Sequence, residues 1–509
     1  MTRCVVRLLL AMLTAAAAGC LVGPDYKPPA VGLSDRWSEA PHDGVPAPPT
    51  PSRWWTAFGD AELDSLVDRA VAANLDVALA EARIRESRAN RTIAAAPLWP
   101  SISATGSYTR SLPSRNAIAT TGSHGGGFGV QQTNQYQLGF DASWELDVFG
   151  GTRRAVEAAR ATLEAAYFDL GDVLLTLLGD VARNYIETRG FQRQLAVARQ
   201  NLAAQQDTLA LTQSRYRGGL ASDLDVAQAE AQAQTTAATI PTLETSYKEA
   251  VHRLGVLIGE EPGALNDELA AAAPIPVAGA ELPPGLPSDL LRRRPDIRRA
   301  ERQLAAATAN VGVATADLYP KFSLIGNAGL SSISASDFFT SGSKLWSIGP
   351  TITWPIVQGG QIVATIEVRN AQAQQALLAY RQSILGALED VENGIVAYTR
   401  ERARREAVVA AVRSNQRAVD LATALYTRGL SDFLNVLDAQ RNLYTSETDL
   451  AQSETTVSTD LVALHKALGG GWDAIPVQTA RDDSVSLAVP VTVPVEQRNR
   501  AKSGESRSN

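Results

Sequence analysis

The chain makes the same switch twice. "WELDVFGGTRRAVEAARATLEAAYFDL" (residues 144–170) and "WPIVQGGQIVATIEVRNAQAQQALLAY" (354–380) each start as apolar–polar alternation, break at a glycine pair, and continue as alanine-rich helix. After the glycines the period becomes seven. Tyr167, Leu174, Val181, Thr188, Leu195, Leu202, Leu209 and Tyr216 form one row, with Leu170, Leu177, Asn184, Phe191 and Ala198 three residues on. At a shift of 210, Leu377, Ile384, Val391, Tyr398, Arg405, Val412, Val419 and Tyr426 form the second row; Thr188 and Arg405 interrupt the two. A strict seven-residue repeat predicts left-handed supercoiling against neighbouring helices, with Tyr216 and Tyr426 packed like the rest. Roughly 65 residues at ~1.5 Å each make a rod about 100 Å long. No single globular core uses such a rod.

Before each rod the period is two. Ile102, Ala104, Gly106 and Tyr108 share one face of "SISATGSYT", and Tyr136, Leu138, Phe140, Ala142, Trp144, Leu146 and Val148 share one face of "QYQLGFDASWELDV". The opposite faces carry Ser, Thr, Gln, Asp141, Glu145 and Asp147. A second hairpin puts Phe322, Leu324, Ala328 and Leu330 opposite Trp346, Ile348, Ile352, Trp354 and Ile356, with Ile325 intruding on the polar side. Aromatic residues gather near the strand ends, as in membrane-interface girdles. A soluble sandwich would need more strands than two distant hairpins supply. Strands facing lipid must close into a barrel, since no free edge survives in hydrocarbon. Four strands cannot close around a channel; three copies would supply twelve. Asp141, Glu145 and Asp147 are expected at the lumen or its lower rim, because a charge facing lipid at mid-depth costs ~2–4 kcal/mol.

The duplication extends beyond the rods. "YRGGLASDLDVAQAEAQ" from Tyr216 matches "YTRGLSDFLNVLDAQRN" from Tyr426, and "APLWPSISATG" from Ala96 matches "ADLYPKFSLIG" from Ala316. At the rod ends a glycine (Gly219, Gly429) stops one helix, and "ASD" or "SD" can cap the next. Each half therefore reads hairpin, long descending helix, turn, long ascending helix. Between the halves, "PIPVAGAELPPGLPSDLLRRRPDIRRAERQ" is a Pro/Gly-rich crossover. Its arginines are expected on a salt-bridged surface rather than in a phosphate site.

Composition closes off other functions. The formal charge of −7 argues against nucleic acid, and four scattered histidines offer no zinc spacing. No nucleophile elbow, phosphate loop or dinucleotide fingerprint is present, so neither enzyme nor cofactor is expected. "GGGFG" at 125–129 is only a flexible-loop signal. The start, "MTRCVVRLLLAMLTAAAAGC", has two arginines, a short apolar run and small residues before Cys20, as a secretory signal does. Its "AAGC" end resembles a bacterial lipobox, with Ala17 where leucine is usual, which makes Cys20 the expected lipidation site. Leu21 follows the cysteine, which favours the outer membrane over inner-membrane retention. Removal of the signal takes Cys4 with it, so no internal disulfide remains.

"CLVGPDYKPP" at Cys20, "WWTAFGDAELDSLVDRAVAANLDVALAEAR" from Trp54, "GLPSDLLRRRPDIRRAE" from Gly285 and "YTRGLSDFLNVLDAQRNL" from Tyr426 resemble the TolC-like outer-membrane efflux family, in its lipidated multidrug-pump branch. The resemblance implies a mainly α homotrimer with a twelve-stranded β-barrel in the outer membrane, a long α-helical barrel built from two repeats, and a mixed equatorial domain. It also implies a periplasmic adaptor and an inner-membrane transporter of the resistance-nodulation-division type as partners. The expected layout is a signal peptide (1–19), lipidated arm (20–53), equatorial and first-repeat helices (54–98), first hairpin (99–149) and first helical hairpin (150–259). Then come the crossover (260–294), second-repeat helix (295–319), second hairpin (320–357), second helical hairpin with the gate (358–469) and a polar tail (470–509). By this resemblance Asp438 projects into the periplasmic mouth as a three-fold ring that repels anions. Arg441 accompanies it, three residues on, and Tyr426 with Asp225 would form a latch. Asn435 stands where some members have a second inward aspartate, and Ser431 where a latch arginine stands. The lipid anchor and the branch signature favour small-molecule efflux over the related protein-secretion duct; a tether between envelope layers would need no membrane hairpins.

Overall fold

The computed structural model describes residues 21–34, 36–39, 53–112, 114, 132–278 and 287–474. Two short helices, α1 (Ala61–Ala73) and α2 (Leu75–Ala95), lead into β1 (Ser101–Ser111) and β2 (Thr133–Leu146). The first rod is α3 (Gly151–Arg217), followed by α4 (Asp223–Leu257). The second half repeats the series: α5 (Pro295–Ala316), β3 (Lys321–Ser332), β4 (Lys344–Thr353), α6 (Gln361–Thr427) and α7 (Phe433–Ala467). Both long helices have 67 residues and both of their partners 35. Each rod opens after a glycine that only a residue without Cβ adopts easily, Gly150 at φ 79° and Gly360 at φ 83°. Each closes alike, at Gly219 (φ 71°) and Gly429 (φ 75°).

The ascending side of each half is divided. α4 is about half the length of α3, and the upper part of α3 packs instead against α2 and α5. The long rod is continuous because its seven-residue period keeps phase past Thr188. Its partner stops where Gly259 (φ 76°) turns the chain into the crossover.

The two hairpins form one antiparallel sheet in the order β1-β2-β3-β4. Register places most apolar residues on one side, with Ile325 and Leu345 on the other: Ala104 faces Phe140, Phe140 faces Ala328, and Ala328 faces Trp346. That side is bare in the single chain, with Phe140 64%, Trp346 76% and Ile348 68% exposed. β1 and β4 are open edges. Among the described residues every strand belongs to this sheet, and no helix is long and apolar enough to cross a membrane.

The N-terminal arm is docked rather than loose. Leu21 lies against Gly150, and Val22 N–H donates to the Phe149 carbonyl at 3.2 Å. Arg154, 1% exposed, donates to the Val22 carbonyl (3.1 Å), the Gly23 carbonyl (3.4 Å) and Asp25 (2.6 Å). Gly23 (φ 86°) approaches the Gly312 backbone too closely for a Cβ, and a Cβ at Gly312 would meet the Arg154 side chain at 2.9 Å. Farther along, Trp37 enters the core with Leu290, Ile297, Tyr380 and Ile384, and Ser38 and Glu39 N–H groups bond the Glu392 carboxylate. Proline in this arm gives extended backbone, and these side chains fix it.

The arginines of the second-repeat segment are paired, as expected. Arg294 meets Asp296 and Asp390, Arg299 meets Asp169 and Asp172, and Arg302 meets Glu164 and Glu301, tying α5 to α3 and α6.

Candidate functional site

The candidate residues fall in two regions: the polar face of the sheet and the tips of the rods. On the sheet, Asp141 lies on the polar face, exposed, accepting a hydrogen bond from Thr105 Oγ1 at 2.9 Å. Its cross-strand neighbours are Ser103 and Asn327. Glu145 is exposed on the same face opposite Ser323. Asp147, just past the end of β2, caps a helix. Its carboxylate accepts from Thr152 N (3.0 Å), Arg153 N (2.9 Å) and Arg153 Nε (3.2 Å), capping the first turn of α3. Those N–H groups have no helical partner of their own, and the positive helix end favours an anion there. Below the apolar face, Trp144 Nε1 donates to the Leu98 carbonyl at 3.0 Å and Trp354 Nε1 to the Leu318 carbonyl at 3.1 Å. The same indole-to-carbonyl bond thus occurs once in each half, at an apolar–polar boundary where indole is favoured.

At the tips, both turns close with the same two backbone bonds. Gly219 N–H bonds the Tyr216 carbonyl and Leu220 N–H the Arg215 carbonyl; Gly429 and Leu430 repeat this with Tyr426 and Leu425. The helices that follow differ in their caps. Ser222 and Asp225 form a reciprocal capping box at the start of α4, whereas Asp432 gives α7 no side-chain cap. Asp225 is therefore engaged locally: it accepts from Ser222 N at 2.9 Å and makes no bond to Tyr426. The expected latch between these two residues is absent from this arrangement. Tyr426 is 4% exposed in a small tip core with Ala229, Phe433, Val436 and Leu437, and its hydroxyl has no hydrogen-bond partner. Tyr216, its repeat mate, is 46% exposed, so the heptad rows overstated its packing.

Asp438 is exposed on α7 and forms no ion pair among the described residues. Arg441, one turn away, does not neutralise it; its Nε donates to Gln232 on α4 at 2.7 Å. Asn435 bonds Ser431 at 2.9 Å, a neutral contact at the two positions where the family pattern has charges. Cys20 lies outside the described residues, but Leu21 places the chain just after it beside the Phe149–Tyr319 aromatic stack at the base of the sheet. Among the described residues no group of His, Cys, Asp or Glu side chains is assembled to hold a metal ion.

Sequence reasoning missed two groups between the tips and the sheet, one buried and one half-buried. His465 stacks on Trp54 at 5.1 Å, and burial pulls its pKa down to about 4. Asp460 is pushed up to about 6 by burial and by the neighbouring Glu401. Neither belongs to a motif, and only tertiary packing gives them their character.

The sequence profile of the outer membrane efflux proteins matches residues 66–260 and 286–470. The chain belongs to this family. Nodulation protein T of Rhizobium leguminosarum bv. trifolii is 34% identical over 460 residues, 90% of this chain and 96% of that protein. The pyoverdine export outer membrane protein OpmQ of Pseudomonas aeruginosa is 35% identical, covering 85% of this chain and 90% of its own. Among solved structures, the outer-membrane channel OprN superposes with a TM-score of 0.82 at 35% identity, over 89% of this chain and all of that one. The open state of the Neisseria gonorrhoeae MtrE outer membrane channel superposes at 0.77 with 27% identity. The protein is thus an outer-membrane efflux duct: a β-barrel wall continued by long helices, with the two halves of the chain as its repeat.

Proposed function

We propose that three copies of this chain form a lipid-anchored exit duct that passively conducts small molecules out of the periplasm, handed on by an adaptor and an inner-membrane transporter of the resistance-nodulation-division type. The observation that carries the reading is the sheet: one face apolar along most of its length and largely exposed, the other mostly polar, both edges open. Such a sheet is satisfied only by closure in a bilayer. The arm adds support for the anchor, because its docked start brings position 21 to the base of the sheet, where an acyl chain on Cys20 would reach lipid. Relatives named for pyoverdine export, solvent efflux and toluene efflux favour small-molecule cargo over secreted protein. In this reading Asp438 rings the periplasmic mouth, and Asp141 and Glu145 line the barrel lumen.

Deletion should raise accumulation of dyes and antibiotics in cells that keep their inner-membrane pumps. Accumulation unchanged in every pump background would overturn the efflux reading. Asp438→Ala trimers in planar bilayers should open more often and lose cation preference; a conductance and selectivity equal to wild type would remove Asp438 from the gate.

A further inference from the structure

The two rod tips of one chain are joined at their lowest point by a single cation. Arg215, in the last turn of α3, places its guanidinium over the Tyr426 ring with Cζ 4.6 Å from the centroid. Its Nη1 donates to the Thr427 carbonyl at 3.1 Å. That carbonyl ends α6, where the last carbonyls lack helical partners and carry the negative end of the helix dipole. A cation there is held by the ring face and the helix terminus together.

The geometry selects the ring over the hydroxyl. Tyr426 is buried against Phe433 at 5.7 Å with its oxygen unpartnered, so the face is what the tip uses. Gly429, at φ 75°, makes the turn that brings the Thr427 carbonyl beside the guanidinium. The link runs one way only, because position 425, the repeat mate of Arg215, is leucine. Other side-chain bonds between the halves lie farther from the turns: Thr208–Gln440 at 2.8 Å, Gln232–Arg441 at 2.7 Å and Thr239–Tyr444 at 3.2 Å. Arg215 therefore has the greatest leverage over separation of the tips.

We propose that Arg215 is the clamp that holds the α6–α7 tip against the α3–α4 tip in the closed duct, and that opening requires its guanidinium to leave the Tyr426 ring and the Thr427 carbonyl. The proposal rests on the tips being the mouth of the channel. Arg215 is a positioning residue; it holds the helix pair that carries Asp438.

The test is single-channel recording of full-length trimers in planar bilayers, with trimer assembly followed on native gels. Arg215→Leu installs the residue that its repeat mate already has, and should raise open probability about tenfold, with trimer yield unchanged. Arg215→Lys keeps the charge without the planar fork and should fall between the two. Tyr426→Phe should gate as wild type, whereas Tyr426→Leu should open like Arg215→Leu. The double variant Arg215→Leu/Tyr426→Leu should open no further than either alone. Wild-type gating by Arg215→Leu would overturn the clamp, and so would a Tyr426→Phe that opens as fully as Tyr426→Leu. Should Arg215→Leu fail to assemble, the contrast between Tyr426→Phe and Tyr426→Leu still decides. A wild-type protein that forms no channel would instead strike down the duct reading itself.

Discussion

α3 and α6 have the same length, the same kind of glycine before them and matching seven-residue rows, yet their surroundings differ. α3 buries side chains almost end to end, from Arg154 to Thr212, with α2, α4, α5 and α7 packed around it. α6 buries only Tyr380, Ile384, Ala387, Val391, Ile395, Tyr398 and Tyr426, and leaves Leu378, Leu385 and Leu421 exposed. Leu378 and Leu385 are seven residues apart, the spacing of a supercoil seam with no partner in this chain. Duplication supplied two equal rods; the fold completes the packing of one and leaves the other for a further copy.

The sharpest way to break this comparison uses one repeat position. Leu175, 4% exposed, and Leu385, 65% exposed, are mates at the 210-residue shift. Leu175→Asp buries an unpaired charge, costs more than ~4 kcal/mol, and should leave no folded protein on native gels. Leu385→Asp should leave the chain folded by circular dichroism but stop assembly, accumulating single subunits. Equal outcomes for the pair would erase the distinction.

A second, smaller contrast lies at Gly255 and His465, also repeat mates. Gly255 has backbone where a side chain would go, with the Glu261 carbonyl 2.7 Å from an added Cβ; His465 instead fills space against Trp54. With its pKa near 4 in the fold against an ordinary 6.5, His465 must take up a proton on unfolding as pH falls. Its contribution is intact above pH 6.5 and shrinks between 6.5 and 4, by about 3 kcal/mol at the lower limit. Asp460 acts in the opposite sense: its raised pKa adds stability as pH falls and withdraws it as pH rises through 6. Thermal unfolding in an Asp460→Asn background should therefore show a steeper acid loss than wild type, and His465→Phe should flatten it.

The smallest expected effect is at Glu244 and Glu454, mates that each reach an arginine of the adjacent long rod, Arg199 at 2.7 Å and Arg405 at 3.0 Å. The first is open to water and the second partly so. Glu244→Gln and Glu454→Gln should each shift stability by less than ~1 kcal/mol in thermal unfolding.

The rods and strands were legible because each keeps one period, three and a half or two residues, despite Thr188, Arg405 and Ile325, and has a glycine where the period changes. The register of the sheet followed from the same alternation, since a one-residue slip would have turned Phe140 and Trp346 to the polar side. The division of the ascending side at Gly259 was hidden, because α2 and α4 lie far apart in sequence and meet directly only at their ends, where Asn74 bonds the Leu257 carbonyl. The docking of the arm was hidden for the same reason: nothing near Val22 or Gly23 announces Arg154, more than a hundred residues away. At the tips, spacing placed Tyr426 and Asp438 correctly on their helices. The partner of Tyr426 was misread as Asp225, because local capping, a short-range bond, had already claimed that carboxylate. Arg215 gave no signal of its own beyond standing where its repeat mate is leucine.

The open edges of β1 and β4 have a bearing on how such a chain is made. A newly exported copy carries two unpaired backbone ladders beside a greasy surface, the combination that templates runaway strand addition between strangers. Biogenesis must therefore keep that sheet hidden in transit, and release it only where siblings and bilayer are both at hand.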